Sequence, residues 1–511
     1  MGGESEFSAV PQEGIDACKF ESLVWGAIFF VLVAFLQFYL PYPIDDDTAY
    51  HFSVSELIRK NGILVNFPWT RFSLQFDHYG DKEFLFHLLF IPFSALGFVN
   101  ASRAVGIIGG SLILVTLYTL LRREKIRNAG LWTLLPLTVS LFAYRFAQVR
   151  PQLFSIALAL AFLWSYSRRR YWLLLAVSVL YPLSYVAFWQ IPLLLVAATE
   201  AARRTAKERF TPKQLLTVCA GVAIGIALHP NSINLMTINW VHMTDVLMRN
   251  AWGNKVEFNM GQEFDPLTIS EWLTYLLAPA GMAIWALNVS WRHRKADALP
   301  LAVALAALLF GLLTARTNRF LEYFVPLAVL ALALVSRWIA WRHLAPALLA
   351  ISLMFTLTVA TGPFVMLRSP EISKWVMEPE VVHLMAREVP VGAKVFTTGW
   401  EYTGSLLLNL PGRYYMVALD PTLMYKSDPK LYTDWYHLLL DAPGNAADIV
   451  RTRFDSRYVI SQNHTELWPF FNALAVDARV KVLLSNDKWL LFDLGATGTN
   501  RGQVGDTRGK S

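Results

Sequence analysis

With only two cysteines in 511 residues, Cys18 and Cys219, the chain has neither a disulfide framework nor a thiolate metal centre. Charge is scarce too. Asp, Glu, Lys and Arg make up 16% of the residues against 55% hydrophobic, and the mean hydropathy is +0.39, a balance that water-soluble domains rarely reach. Signatures of nucleotide handling are missing: there is no GxxxxGK[ST] loop and no glycine fingerprint after a strand. HExxH and GxSxG are absent as well, so nucleotide-driven chemistry, zincin chemistry and a serine-nucleophile elbow have no visible site. The net charge of +7 does not indicate nucleic acid, because the basic residues fall in short clusters between apolar runs. The first such run, Val24 to Leu40, lacks the basic n-region and small-residue cleavage site of a signal peptide and reads as a retained helix.

What is present is a series of apolar runs about as long as a bilayer is thick. Candidate spans cover 23–42, 102–121, 130–145, 151–167, 171–185, 187–202, 213–229, 270–289, 298–314, 320–336 and 344–363. Basic clusters at 122–127, 168–170, 203–213, 292–295 and 337–342 all fall on one side if these eleven cross, which predicts a multi-pass protein of the cytoplasmic membrane. Its amino terminus is then cytoplasmic and its carboxyl terminus extracytoplasmic. Counting Phe84 to Phe98 as a further crossing would reverse the clusters, so this run is predicted to lie along or dip into the outer leaflet.

The organisation expected is a cytoplasmic tail (1–22), a mainly α membrane domain (23–365) with external loops 43–101 and 230–269, an α/β domain (366–498) and a disordered tail (499–511). In the α/β domain the patterning predicts a helix over Glu378–Glu388 and strands over Ala393–Thr398, Arg413–Leu419 and Arg457–Ser461. A hairpin is predicted from Val480–Ser485 and Trp489–Asp493 about Asn486-Asp487. Long loops on one face place the chemistry on the outside, where a donor has to be already activated and membrane-borne.

The residues with chemical potential begin with Asp45-Asp46-Asp47-Thr48-Ala49-Tyr50-His51. Three adjacent carboxylates near a bilayer require a cationic counterpart. On an extended segment Asp45 and Asp47 point the same way and could share a divalent cation, magnesium or manganese, with Asp46 facing elsewhere. His51, one helical turn on, could position a leaving group or the metal, and Glu263 could complete the site. The plain alternative is an acidic helix start, capped by Asp47 or Thr48. Arg145, Arg150, Arg316 and Arg319 lie at external helix ends, against the positive-inside bias. Their forks suit the oxygens of a lipid phosphate, or else they snorkel to headgroups. Asp81, Lys82, Glu83, His87, His229 and Glu322 are weaker candidates, the last of them placed to pair with Arg319.

DDDTAYH, followed by a helix ending at Gly62, resembles the DPDxYYH motif of oligosaccharyltransferase catalytic subunits, within the GT-C class of polytopic glycosyltransferases that use polyprenol-linked sugars. The run from Asp81 to Leu89 is similar to the surface helix of that family's first external loop, and the long second loop and outer tail domain match as well. The resemblance implies a GT-C-like bundle and a polyprenyl-phosphate-linked donor, with Asp45 or Asp47 as catalytic base or metal-linked carboxylate. It implies a lipid, glycan or protein acceptor. The chain departs from the pattern in two places: residues 145–152 carry no second acidic pair, and no WWDYG signature occurs. Both departures favour a single-sugar transferase over a peptide-modifying one. A transporter or flippase of lipid-linked saccharides is the alternative, which the absence of an internal repeat disfavours.

Overall fold

The computed structural model describes residues 12–247, 264–367 and 375–495. Among these, five helical stretches are long and apolar enough to cross a membrane: Lys19–Tyr39, Phe84–Arg123, Ile269–His293, Leu299–Arg316 and Asn318–Trp338. Two further pairs, Ser140–Ala147 with Gln152–Ser167 and Pro212–Leu228 with Ser232–Asp245, are each bent by 115°. The expected eleven therefore do not appear as eleven full-length spans. Prolines account for the breaks: Pro151 opens one bend and Pro230 sits in the other, where a missing N–H and a fixed φ end a helix. Tyr171–Ser184 and Gln190–Thr205 form the two short helices expected on either side of Tyr185 to Trp189. At 14 residues the former is only about 21 Å long, less than a hydrocarbon core.

The bundle is organised around Leu321–Val335, whose every residue is buried. It packs on Leu299–Arg316 and Leu277–His293, while the first helix keeps most of its surface outward, as a lipid-facing helix does. The run at 84–98 is a short helix (Phe84–Phe90) and a 3-10 turn (Ile91–Leu96) that lead into the spanning helix Gly97–Arg123. The second long loop is not irregular at its start, since Ser232–Val241 is helical.

The carboxyl-terminal part holds a four-stranded sheet in the order β1 (Val395–Thr397), β2 (Tyr458–Gln462), β4 (Trp489–Asp493), β3 (Lys481–Ser485). Strand β1 runs parallel to β2 with Val395 opposite Tyr458, and the β3–β4 pair is the expected hairpin. The helix Pro379–Glu388 also forms where the periodicity places it. Residues 413–419 do not form a strand. They make single bridges, Tyr414 to Lys394 and Tyr415 to Thr70, because their hydrogen bonds go partly to the first external loop.

Those bonds change the domain picture. Alternate side chains of the sheet face opposite ways. Phe396, Val459, Leu490 and Phe492 join a core with Leu438 and Phe470, whereas Val395, Ile460 and Leu491 pack with Tyr50, Val54, Ile58 and Phe67 of the first loop. One face of the sheet is thus covered in part by residues more than 300 positions away, and the helix Asp47–Asn61 packs against the carboxyl-terminal domain.

Candidate active site

The first helix ends at Tyr39, and Pro41 and Pro43 carry the chain to the three aspartates. The Asp45 carboxylate accepts hydrogen bonds from the Thr48 N–H and hydroxyl, both 3.1 Å, so it satisfies the opening turn of the helix Asp47–Asn61. The counter-cation is Arg150: its Nε donates to Asp45 Oδ2 at 3.0 Å and its Nη2 lies 3.0 Å from Asp47 Oδ2. One guanidinium fork thus spans the alternate pair, the geometry for which Arg rather than Lys is suited.

Arg150 belongs to the tight turn 148–151 between the bent helices Ser140–Ala147 and Gln152–Ser167. Gln37 Nε2 donates to the Ala147 carbonyl at 3.0 Å, and the Thr48 hydroxyl, its one proton shared with Asp45, lies 3.3 Å from the Val149 carbonyl, so two other elements contact the turn. On its far side Arg145 donates through Nε to Glu322 Oε1 (2.7 Å), a pair buried inside the bundle. The sequence paired Glu322 with Arg319; the fold gives it to Arg145.

These elements line a partly open cavity of about 420 Å³ between the helix ends and the carboxyl-terminal domain. Asp46, Asp47 and His51 line it; Lys82, Arg145, Arg150 and Arg319 supply cations, and Trp400, Glu401, Leu419 and Asp420 line it from the carboxyl-terminal domain. Asp45 does not line it, since both of its oxygens are engaged behind the wall. Arg316 is exposed and also outside it, because the turn Asn318–Phe320 sends Arg319 inward, its guanidinium over the Phe264 ring at 5.5 Å. Glu263 lies outside the described residues.

Asp46, expected to face elsewhere, faces in. It already has near-helical φ/ψ (−78°, −19°), so the alternation of an extended strand has ended by that point. Burial, then the charges of Asp47, Asp45 and Glu401, push its carboxyl well above the usual range against the lowering pull of Arg150. Burial likewise raises Glu401.

Behind His51 lies a chain of buried groups. His51 Nδ1 is 2.9 Å from His87 Nε2, and His87 Nδ1 is 2.8 Å from Asp81 Oδ1. Burial, with the nearby His87, Lys82 and Arg150, holds His51 well below its ordinary value, so near neutral pH the imidazole is uncharged and a weak base. His51, Glu83 and His87 offer ligand atoms within 4.8 Å of one another. An outer carboxylate on His87 is the arrangement that orients metal-binding histidines. Two imidazoles and one carboxylate suit a transition metal such as zinc or manganese better than magnesium, so the metal-competent set is this one and not Asp45 with Asp47. Lys82 Nζ sits 3.2 Å from His242 Nε2 and 3.6 Å from Glu83.

Sequence reasoning missed Gln148 and Gln152. Both line the cavity and are 4% and 1% exposed. The Gln148 amide oxygen and both amide atoms of Gln152 have no hydrogen-bond partner among the described residues. An unpartnered buried amide group costs about 1–3 kcal/mol. Two glutamines beside a helix-breaking proline were the available signal.

The two halves approach closely at Gly404 in the helix Thr403–Asn409. A Cβ there would meet the Asp46 carbonyl oxygen at 2.6 Å and the Tyr50 nitrogen at 2.9 Å, so glycine lets the carboxyl-terminal domain seat on the aspartate turn.

No protein-family model matches the chain, and no curated protein matches its sequence. Solved structures do match its fold. Archaeal oligosaccharyltransferase AglB from Archaeoglobus fulgidus, in complex with an inhibitory peptide and a dolichol-phosphate, is similar at TM-score 0.56 and 13% identity over 87% of this chain and 69% of that one. ArnT from Cupriavidus metallidurans is similar in the apo state at TM-score 0.57, with 11% identity over 95% of this chain and 100% of that one. In the form bound to undecaprenyl phosphate the TM-score is 0.61, with 11% identity over 94% and 99%. The chain shares the fold of these structures, and among its described residues five helical stretches are long and apolar enough to cross a membrane.

Proposed function

We propose that the protein transfers a sugar from a polyprenyl-phosphate-linked donor to an acceptor at the outer face of the cytoplasmic membrane. The observation that carries this reading is the make-up of the cavity: Asp46 and Asp47 of the aspartate turn line one space at the helix ends together with Lys82 and Arg319. The structures similar in fold hold dolichol-phosphate and undecaprenyl phosphate, both polyprenyl phosphates.

In this reading the donor phosphate lies against Lys82 and Arg319, with Arg145 beside them. Asp47 takes the proton from an acceptor hydroxyl; His51, held neutral, is the poorer base. The hydroxyl oxygen bonds to the anomeric carbon as the bond from that carbon to the phosphate oxygen breaks, with inversion, and the lipid phosphate keeps the electron pair. General-base assistance contributes about 10²–10⁴-fold, and cationic stabilisation of the leaving phosphate at least as much. Arg150 positions Asp47 rather than binding phosphate. A metal on His51, Glu83 and His87 would add Lewis-acid stabilisation at the same wall. The acceptor, a lipid, glycan or protein, enters past Trp400 and Glu401, which places the carboxyl-terminal domain outside and the amino terminus in the cytoplasm.

The test is sugar transfer by purified protein from labelled polyprenyl-phosphate sugars into a membrane-extract acceptor pool. Asp47→Asn and Arg319→Ala are expected to lose transfer, and Arg316→Ala and folded Asp45→Asn to keep most of it. A wild type that consumes no donor, mono- or diphosphate-linked, would refute the reading and favour transport, for which a broken helix at the site (residues 148–151) is the supporting feature.

A further inference from the structure

We infer that Gln148 and Gln152 form a subsite for the hydroxyl groups of the transferred sugar, and that this subsite selects a neutral, hydroxylated ring. The inference rests on the donor reading above and adds the part of the donor that the cations do not address.

Three observations carry it. Gln148 and Gln152 flank Arg150 on the turn between the two bent helices, and both line the cavity. Both are more than nine-tenths buried, yet the Gln152 amide nitrogen and oxygen and the Gln148 amide oxygen have no partner among the described residues. Their backbone is not free to relieve this, because the Ala147 and Val149 carbonyls are tied to Gln37 and Thr48. Buried amides that are held in place and unpartnered within the protein take their partner from outside the chain, from water or a ligand, and these two line the cavity.

The chemistry of that ligand follows from the amide group. A primary amide donates and accepts at once, as a sugar hydroxyl does, so one hydroxyl pair on a ring can satisfy both atoms of Gln152. An ammonium would leave the N–H donors unmatched, and a carboxylate would leave the amide oxygens unmatched. The position agrees. The sugar is joined to the phosphate, which Lys82 and Arg319 hold, and it has to present its anomeric carbon near Asp47. Gln148 and Gln152 are on the same wall as Arg150, the partner of Asp47.

The experiment measures binding to detergent-purified full-length protein by isothermal titration calorimetry. The probes are bare undecaprenyl phosphate and a panel of undecaprenyl-phosphate glucose, mannose and N-acetylglucosamine; the proteins are wild type, Gln152→Leu and Gln148→Leu. Wild type is expected to bind at least one glycosylated lipid about tenfold more tightly than the bare phosphate, the worth of a good hydrogen bond or two. Gln152→Leu should erase that advantage, leave affinity for bare undecaprenyl phosphate within about twofold, and melt no lower than wild type, since the leucine removes an unpartnered polar group. Equal weakening of bare and glycosylated lipids, or an unchanged preference in both variants, would overturn the subsite, as would a wild type without preference for any sugar of the panel. A wild type that binds undecaprenyl phosphate no better than undecaprenol would overturn the donor reading and the subsite together.

Discussion

Replacing Arg150 with alanine removes the guanidinium that contacts both Asp45 and Asp47. Its fork makes two contacts of 3.0 Å, to carboxylates whose side chains are 11% and 25% exposed. At an effective dielectric of about 20 each contact is worth about 5 kcal/mol of Coulomb energy before desolvation. Removing one member of such a part-buried cluster costs about 3 kcal/mol net, because the charges left behind have lost their partner and repel one another. Arg150→Ala is therefore expected to lower the melting temperature in detergent by roughly 3 °C. Arg150→Lys restores the charge without the two-pronged geometry and should fall between. Adding Asp45→Asn to Arg150→Ala removes one of the opposed charges and should recover part of the loss, a non-additivity that a double-mutant cycle reads directly. Millimolar Mn²⁺ should also stabilise Arg150→Ala, whose paired carboxylates then resemble a divalent site, while leaving wild type unchanged. If Arg150→Ala melts with wild type, or if chelator destabilises wild type and Asp45→Asn abolishes that effect, the cation at this turn is a metal and the argument fails.

The raised carboxyl of Asp46 gives a pH dependence. A carboxyl whose folded pKa lies above its unfolded 3.8 stabilises the fold fully below the unfolded value, and that contribution is lost as pH rises through the folded one. Asp46→Asn should thus raise the melting temperature at pH 8, with little change at pH 3.5, and a lower value at pH 8 would refute the assignment. Gly404→Ala drives a methyl group into the Asp46 carbonyl and should cost about 1–3 kcal/mol together with transfer activity. Gly281→Ala, with nothing within 4 Å, should be neutral or mildly stabilising in the same melts. Zn²⁺ or Mn²⁺ titrated calorimetrically into chelator-stripped protein should bind more weakly to His87→Ala than to wild type and equally to Asp45→Asn, whereas loss in Asp45→Asn alone would return the metal to the aspartate turn.

Much of this arrangement could be read from the chain, and the failures have a common cause. Periodicity placed the helix Pro379–Glu388 and all four strands of the sheet as segments, the hairpin among them, since each is decided by local pattern, while a fifth expected strand at 413–419 did not form. The spacing also suggested that Asp45 and Asp47 act together, and the Arg150 guanidinium contacts both. That the cation is Arg150, 105 residues from Asp45, is a matter of tertiary contact that local pattern does not encode. Arg316 and Arg319 are alike in sequence, and one three-residue turn separates their fates. His51 and His87 meet across 36 residues, and Tyr415 pairs with a loop that precedes it by more than 300.

The glutamines show the limit most clearly. Searching a sequence for chemistry favours charge, because a buried charge is costly enough to demand explanation. Yet a site that must tell one uncharged ring from another has little use for further charge. Its discriminating groups are neutral amides and hydroxyls, which in sequence look like the polar residues of any turn. In the proposed reading, charged residues mark where the phosphate and the proton are handled. Burial without a partner, visible only once the chain is folded, marks the proposed sugar subsite.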